Sequence, residues 1–275
     1  MWFSLIIILN TCLFFVVPIF GFGVNFWLCF SLYLLYFFVF RLPDSDTFRS
    51  FVGWEIMRQH YFHLKIVGPG KDFYEGTEEN GQKYIIAMHP HTIFAVSLTF
   101  FFALKKRFAK YKPVGTSLLF YIPFVREFVE LAGTIKANRA CMLRELRSPD
   151  CQGLLLCPGG MREVNMEGDE IKKRMGFLEI AATTKTWVVP VWSNKERSFY
   201  RIICPLGNFF LNTPLMYPWP VIALGWRWIL CLPQPMEEED PCTVAVGTPF
   251  LPTIDTLAKD QKHFYEEIEK LKKMC

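Results

Sequence analysis

The sequence predicts an α/β domain, with a mostly parallel sheet flanked by helices, behind an N-terminal transmembrane helical hairpin. Three observations carry that reading. Short β-branched and apolar runs alternate with helical stretches from Tyr84 to Gly247, the rhythm of parallel strands joined by crossover helices. No charged residue interrupts Trp2 to Phe40. Hydrophobic residues make up 52% of the 275, and 28 are phenylalanine, an excess to which the N-terminal stretch contributes heavily.

A spanning helix needs about 20 apolar residues, with about 17 as a lower bound. Trp2–Phe20 meets that length and Val24–Phe40 only reaches the bound, with Gly21-Phe22-Gly23 between them as a tight turn. Residues 1–40 are therefore expected to form a membrane anchor, either two short spans or a re-entrant hairpin, with the lipid bilayer as a partner. Arg41, Arg49 and Arg58 follow, which by the positive-inside rule places residues 41–275 on the cytosolic side. A cleaved signal peptide is disfavoured, because the stretch has neither a basic beginning nor an A-x-A-like site.

Residues 47–66 read as an amphipathic helix running into a strand, and Gly68-Pro69-Gly70 as a turn. Tyr84–Met88 reads as a buried strand between the turn signal Asn80-Gly81 and Pro90, ending in His89. Thr92 is placed to cap a helix through Phe100 that closes on Lys105, Lys106 and Arg107. Phe124–Leu131 reads as a helix ended by Gly133, followed by a brief strand at Thr134–Lys136. Asn138 then caps a helix over Arg139–Arg147, and Gly153–Cys157 is a strand stopped by Pro158-Gly159-Gly160. A helix is predicted over Lys172–Lys185, strands over Trp187–Trp192 and Val244–Gly247, and a solvated last helix after Pro252 and Asp255. Residues 205–235 break the rhythm. Tyr217, Trp219, Trp226 and Trp228 lie there among prolines and apolar residues, with Arg227 the one charge, as in a partly inserted or substrate-facing segment.

Several function classes are disfavoured. A net charge of +4, without a basic and aromatic stripe, gives no support for nucleic acid. Nine cysteines without a CxxC pair suit neither a zinc ribbon nor a disulfide framework. No G-x-S-x-G elbow is present, since Gly115-Thr116-Ser117 lacks the spacing. His60 and His63 with His89 and His91 could be drawn together as a metal site, but interfacial histidines on a helix explain the first two better, and no metal is expected.

Three strand ends remain as the candidate site: His89-Pro90-His91, then Pro158-Gly159-Gly160-Met161-Arg162-Glu163, then Ser193-Asn194-Lys195-Glu196. The carboxyl ends of parallel strands share one edge, where open α/β sheets bind ligands. A histidine there is a mostly uncharged base at neutral pH, able to take a proton from a hydroxyl. Gly159 and Gly160 let backbone N–H groups approach a ligand, as an oxyanion cradle requires. Glu163 lies where a carboxylate could orient a histidine and stabilise its imidazolium. Lys172, Lys173 and Arg174 could hold an anionic donor.

These residues also carry a resemblance. His89-Pro90-His91, Pro158-Gly159-Gly160 with Glu163, Arg174-Met175-Gly176-Phe177 running into Val189-Pro190-Val191, Asn194 with Glu196, and Val246-Gly247-Thr248-Pro249 occur together in register. Together they resemble the diacylglycerol acyltransferase type 2 family, which includes monoacylglycerol and wax-alcohol acyltransferases. The likeness covers roughly residues 80–270. It differs in two places. Thr92 stands where the family motif usually has glycine, and neither Phe94 nor Val96 supplies the acid that related glycerolipid acyltransferases place near the histidine.

The resemblance implies a glycerolipid acyltransferase-like fold and transfer of a fatty acyl group from acyl-CoA to a neutral-lipid hydroxyl. Acyl-CoA would act as co-substrate, without a cofactor. His89 or His91 would be the base, Glu163 its support, and Pro90, Pro158, Asn194 and Glu196 structural or substrate-facing. The resemblance places such a protein in the endoplasmic reticulum membrane, and Lys272 and Lys273, just before the final Met274-Cys275, resemble a cytosolic dilysine return signal. Lipid droplets are a second expected location. The expected acceptor is diacylglycerol, giving triacylglycerol, with monoacylglycerol or a long-chain alcohol as alternatives and a non-catalytic membrane-anchored lipid-binding protein as the rival of another class; acyl chain preference and the oligomeric state, including a homo-oligomer, stay open.

Overall fold

The computed structural model describes residues 31–33, 35–37, 39, 42–43, 45–76, 81–92, 94–122, 125–164, 170–203, 222–225, 227 and 233–275. They fall into two compact units, one from Met1–Ser45 with Thr116–Thr134, the other from Asp46–Gly115 with Ile135–Cys275.

In the larger unit, the chain passes through α1 (Asp46–Arg49), α2 (Val52–Ile56) and a π-helical turn at Met57–Tyr61 before β1 (Lys65–Val67), so the helix expected to run into a strand over 47–66 is broken into pieces, while the strand is present. Then come α3 (Lys71–Glu75), β2 (Tyr84–His89), a π-helix at Ser97–Ala103 and β3 (Tyr111–Gly115). The smaller unit interrupts here. Beyond it the chain continues through β4 (Ile135–Lys136).

The sheet has seven strands, and all six residues of β2 are buried. Strand β2 pairs in parallel with β5 (Gly153–Leu156) on one side and with β6 (Trp187–Ser193) on the other. Beyond β5 lie β3 and β4, also parallel. On the far side of β6, β9 (Thr243–Val246) is antiparallel to it and β1 is parallel to β9. The expected parallel sheet is therefore present, with β9 and β1 reversed at one margin.

A central strand with apolar groups on both faces needs two cores. Tyr84, Ile86 and Met88 face a phenylalanine-rich layer that includes Phe62, Phe101, Phe102 and Phe108. Ile85 and Ala87 face the other, with Leu146, Leu178, Ala181, Phe264 and Ile268. The second layer is built by α5 (Arg139–Arg147), α7 (Gly176–Thr184) and α8 (Leu257–Met274). Each fully buried Phe, Leu or Ile contributes roughly 1.5–3 kcal/mol. These layers hold β2 in register, because a one-residue slip would exchange its two faces.

The smaller unit contains a 3₁₀ turn at Ser117–Tyr121 and α4 (Val125–Leu131). Buried Arg126 lies 3.6 Å from Glu127 and 3.6 Å from Glu130, packs over the rings of Phe37 and Tyr36, and donates to the Phe37 carbonyl. Gly133 adopts φ +68° and ends α4 as the sequence implies.

Three other expectations can be placed. Asn138 caps α5, its Oδ1 accepting from the Cys141 N–H at 2.8 Å. The helix expected from Lys172 starts only at Gly176, so Lys172, Lys173 and Arg174 lie on an irregular segment before α7. Thr92 caps nothing. The helix begins near Val96, and its first free N–H groups are met by a carboxylate from elsewhere in the chain.

Residues 1–30 of the expected hairpin lie outside the described residues, while 31–33, 35–37 and 39 are helical. Among the described residues no helix is long and apolar enough to cross a membrane. Of the aromatic segment at 205–235, the described part includes β8 (Ile222–Leu224), which pairs antiparallel with β7 (Arg201–Ile203).

Candidate active site

Strand β2 sits between β5 and β6, so the three polar strand ends converge at one edge of the sheet. His89 is the last residue of β2 and follows the parity of Ile85 and Ala87, which turns it towards α8. Its ring centroid lies 6.0 Å from that of Phe264 and 5.8 Å from that of Tyr265. Its Nδ1 is 2.9 Å from Oε1 and 3.2 Å from Oε2 of Glu163, and both side chains are 0% exposed. An ionised carboxylate only accepts, so Nδ1 carries the proton and donates it. The lone pair is left on Nε2, which is buried with no hydrogen-bond partner among the described residues.

Glu163 reaches this position because β5 stops at Leu156 and the chain turns tightly through Pro158, Gly159 and Gly160 into the single helical turn α6 (Met161–Val164). A Cβ at Gly159 would overlap the Glu163 Oε2 atom, so the missing side chain makes room for the carboxylate. Gly160 adopts φ +60°, where a side chain is strained. Its N–H already donates to the Cys157 carbonyl at 3.1 Å. Arg197 donates to the Glu163 carbonyl and to the Glu170 carbonyl, each at 3.2 Å, which fixes α6 from behind.

His91 follows a cis His89–Pro90 peptide. Burial pushes its pKa down to about 4, with nearby Glu163 opposing that shift, and its Nδ1 has no partner among the described residues. It is therefore uncharged across the physiological range. Cys157 is no nucleophile here. Burial, reinforced by the charges of Glu196 and Glu163, holds its thiol well above the usual value.

On the other side of β2, buried Glu196 accepts from the Thr92 hydroxyl at 3.1 Å and from the Ser97 N–H at 3.0 Å. It is the carboxylate that takes over the helix cap expected of Thr92. Burial raises its pKa, and the bonds from Ser97 and Thr92 offset only part of that. Ser97 Oγ and Ser193 Oγ lie 2.7 Å apart and extend the network beneath it. Asn194 accepts from the Thr243 N–H at 2.9 Å and donates its own N–H to the Thr243 carbonyl at 3.1 Å, which splices β6 to β9.

Lys172 and Lys173 are exposed and Arg174 is half-buried. Lys173 Nζ sits 5.7 Å from the centre of the Tyr265 ring. His60 and His63 form no metal cluster with the others, since no group of three or more suitable ligands occurs among the described residues.

The structure thus brings together His89, Glu163 and Gly159 in one cluster and Thr92, Ser97, Ser193 and Glu196 in a second. Phe264, Tyr265 and Arg197 were not singled out from the sequence. The only hint of the first two was the apolar stripe of the last helix, which predicts burial but not the partner.

Comparison with known proteins identifies the family of the chain. The family described as diacylglycerol acyltransferase matches residues 19–209, more than half of the chain. Mouse diacylglycerol O-acyltransferase 2-like protein 6 is 28% identical over 169 residues, 57% of this chain and 48% of that one. Mouse acyl-CoA wax alcohol acyltransferase 2 is 26% identical over 234 residues, 75% and 67% of the two chains. Mouse 2-acylglycerol O-acyltransferase 1 is 28% identical over 210 residues, 69% and 60%. The chain thus spans between 48% and 67% of the length of these relatives. The crystal structure of the 1-acyl-sn-glycerophosphate (LPA) acyltransferase PlsC from Thermotoga maritima aligns over 99% of this chain and 97% of that one. Its TM-score of 0.49 at 16% identity is too distant to carry an argument about the site. The buried histidine and carboxylate at the edge of a mostly parallel sheet therefore stand in a chain that belongs to the diacylglycerol acyltransferase family.

Proposed function

We propose that this chain transfers a fatty acyl group from acyl-CoA to a lipid hydroxyl, with diacylglycerol as the acceptor and triacylglycerol as the product. The observation that carries the reading is the enclosed His89–Glu163 pair with its bare Nε2. In the reaction, Nε2 takes the proton of the lipid hydroxyl as its oxygen attacks the thioester carbonyl. Glu163 stabilises the imidazolium that forms. The tetrahedral intermediate collapses with cleavage of the C–S bond, and the imidazolium returns the proton to the coenzyme A thiolate. Between these events the oxyanion rests on the backbone of the Pro158–Gly160 turn, which requires the Gly160 N–H to exchange the Cys157 carbonyl for it.

We assign the base to His89 rather than His91, because burial lowers the basicity of the His91 ring. Lys172, Lys173 and Arg174 hold the phosphates of the donor. No cofactor enters this chemistry. Diacylglycerol is preferred because it is the acceptor named in the description of the matched family, although relatives are named for 2-acylglycerol and wax alcohol. The proposed location is the endoplasmic reticulum membrane, with the site facing the cytosol, and lipid droplets as a further site.

The test is acyl transfer from radiolabelled acyl-CoA by membranes carrying the chain. A general base typically contributes ~10²–10⁴-fold, so His89→Ala should lose activity by that factor at unchanged expression. Offering diacylglycerol, 2-acylglycerol and a long-chain alcohol side by side identifies the acceptor. A lipid-binding protein without catalysis would retain lipid and form no ester.

A further inference from the structure

We propose that Tyr265, on the last helix and beyond the matched residues 19–209, is a positioning residue that ties the Lys172–Arg174 segment to the wall of the His89 ring. The inference rests on reading that segment as the one that holds the acyl donor. Residues 170–175 before α7 lie in no strand or helix, so their backbone polar groups need other partners. One hydroxyl supplies both. Tyr265 Oη accepts from the Arg174 N–H at 2.6 Å and donates to the Arg174 carbonyl at 3.1 Å. Phenylalanine could do neither.

The ring to which that hydroxyl is attached is 4% exposed and sits 5.8 Å from the His89 ring, with Phe264 edge-on at 5.0 Å. Lys173 Nζ lies over the same ring at 5.7 Å. One side chain therefore meets the proposed base with its ring, tilted by 54°, and the proposed donor segment with its tip. A tether of this kind keeps the donor segment ordered before acyl-CoA docks, so less ordering cost is incurred on binding.

Tyr265→Phe separates the two ends. It keeps the ring beside His89 and removes both bonds to Arg174. A hydrogen bond of this kind contributes a factor of roughly 3 to 10, so KM for acyl-CoA should rise by that amount while the lipid KM stays put. The pH profile of kcat should not move, because the His89–Glu163 pair is untouched. Amide hydrogen exchange across residues 170–176 should become faster in the variant. Tyr265→Leu, which also removes the ring, should lower kcat as well. An unchanged acyl-CoA KM together with unchanged exchange in Tyr265→Phe would overturn the tether. Lys172→Ala with Lys173→Ala judges the underlying reading separately. If that double variant leaves the acyl-CoA KM unaltered, the segment does not hold the donor, and the exchange result alone decides whether Tyr265 orders it.

Discussion

Two buried carboxylates flank the end of β2, and they live differently. Glu163, at the end of β5, faces an imidazole nitrogen and has a base to support. Glu196, beyond the end of β6, faces hydroxyls and backbone N–H groups, and burial raises its pKa. A carboxylate beside a titratable partner can share in a proton transfer. One surrounded by neutral donors holds a loop in shape. The same residue type, equally enclosed, is thus proposed for chemistry on one side and for architecture on the other by its neighbours alone.

The comparison can be broken most directly by removing charge on each side without changing size. Glu163→Gln should reduce kcat by roughly 10²–10⁴-fold, because the amide no longer stabilises the imidazolium and can present the wrong partner to Nδ1. Steady-state acyl transfer measures it. Gly159→Ala leaves every polar group in place yet drives a methyl into the Glu163 carboxylate, so a loss of about 10² is expected from misplacement alone. Its activity should fall while its melting temperature changes less. Glu196→Gln imitates a protonated carboxyl and should stay within about tenfold of the parent in kcat. A Glu196→Gln variant as inactive as Glu163→Gln would erase the distinction.

The smallest effect is on stability against pH. His91 takes up a proton near 6.5 when unfolded but only near about 4 in the fold, so the unfolded chain binds more protons between those values. Stability should therefore fall as pH drops through that window and be fully present above it. Glu196 runs the other way. Its raised pKa gives stability that is present in acid and lost as pH rises. Melting curves of His91→Gln and Glu196→Gln across this range should each flatten one of the opposing slopes.

Much of this edge was legible in the sequence. The run Tyr84–His89, the Pro158-Gly159-Gly160 turn and the stop after Trp192 are local signals, and the rule that parallel strands present their carboxyl ends together did the rest. The partition was not legible. Thr92 has a side chain suited to a helix cap, and nothing local reveals that a carboxylate about a hundred positions later reaches the helix first. The glycine pair suggested a cradle for an anion, and the structure adds a second demand, that Gly159 be small for the sake of a side chain four residues on. Lys172–Arg174 carries enough helix-favouring residues to read as helix, but Tyr265 binds the backbone groups that a helix would have used. The misses at Thr92 and at Lys172–Arg174 are contacts between distant segments, which periodicity and turn chemistry do not encode.

The complete enclosure of the His89 ring has one more consequence. A thioester opened beside a wet imidazole is simply hydrolysed, and the acyl chain is wasted as free fatty acid. In the proposed reaction a water molecule would have to leave bulk solvent and reach a ring buried beside Phe264 and Tyr265 before it could compete, whereas a lipid alcohol would arrive already surrounded by its own apolar tails. Under the proposed reaction, the rings of Phe264 and Tyr265 would favour ester over acid, and the ratio of the two products gauges how dry the site stays.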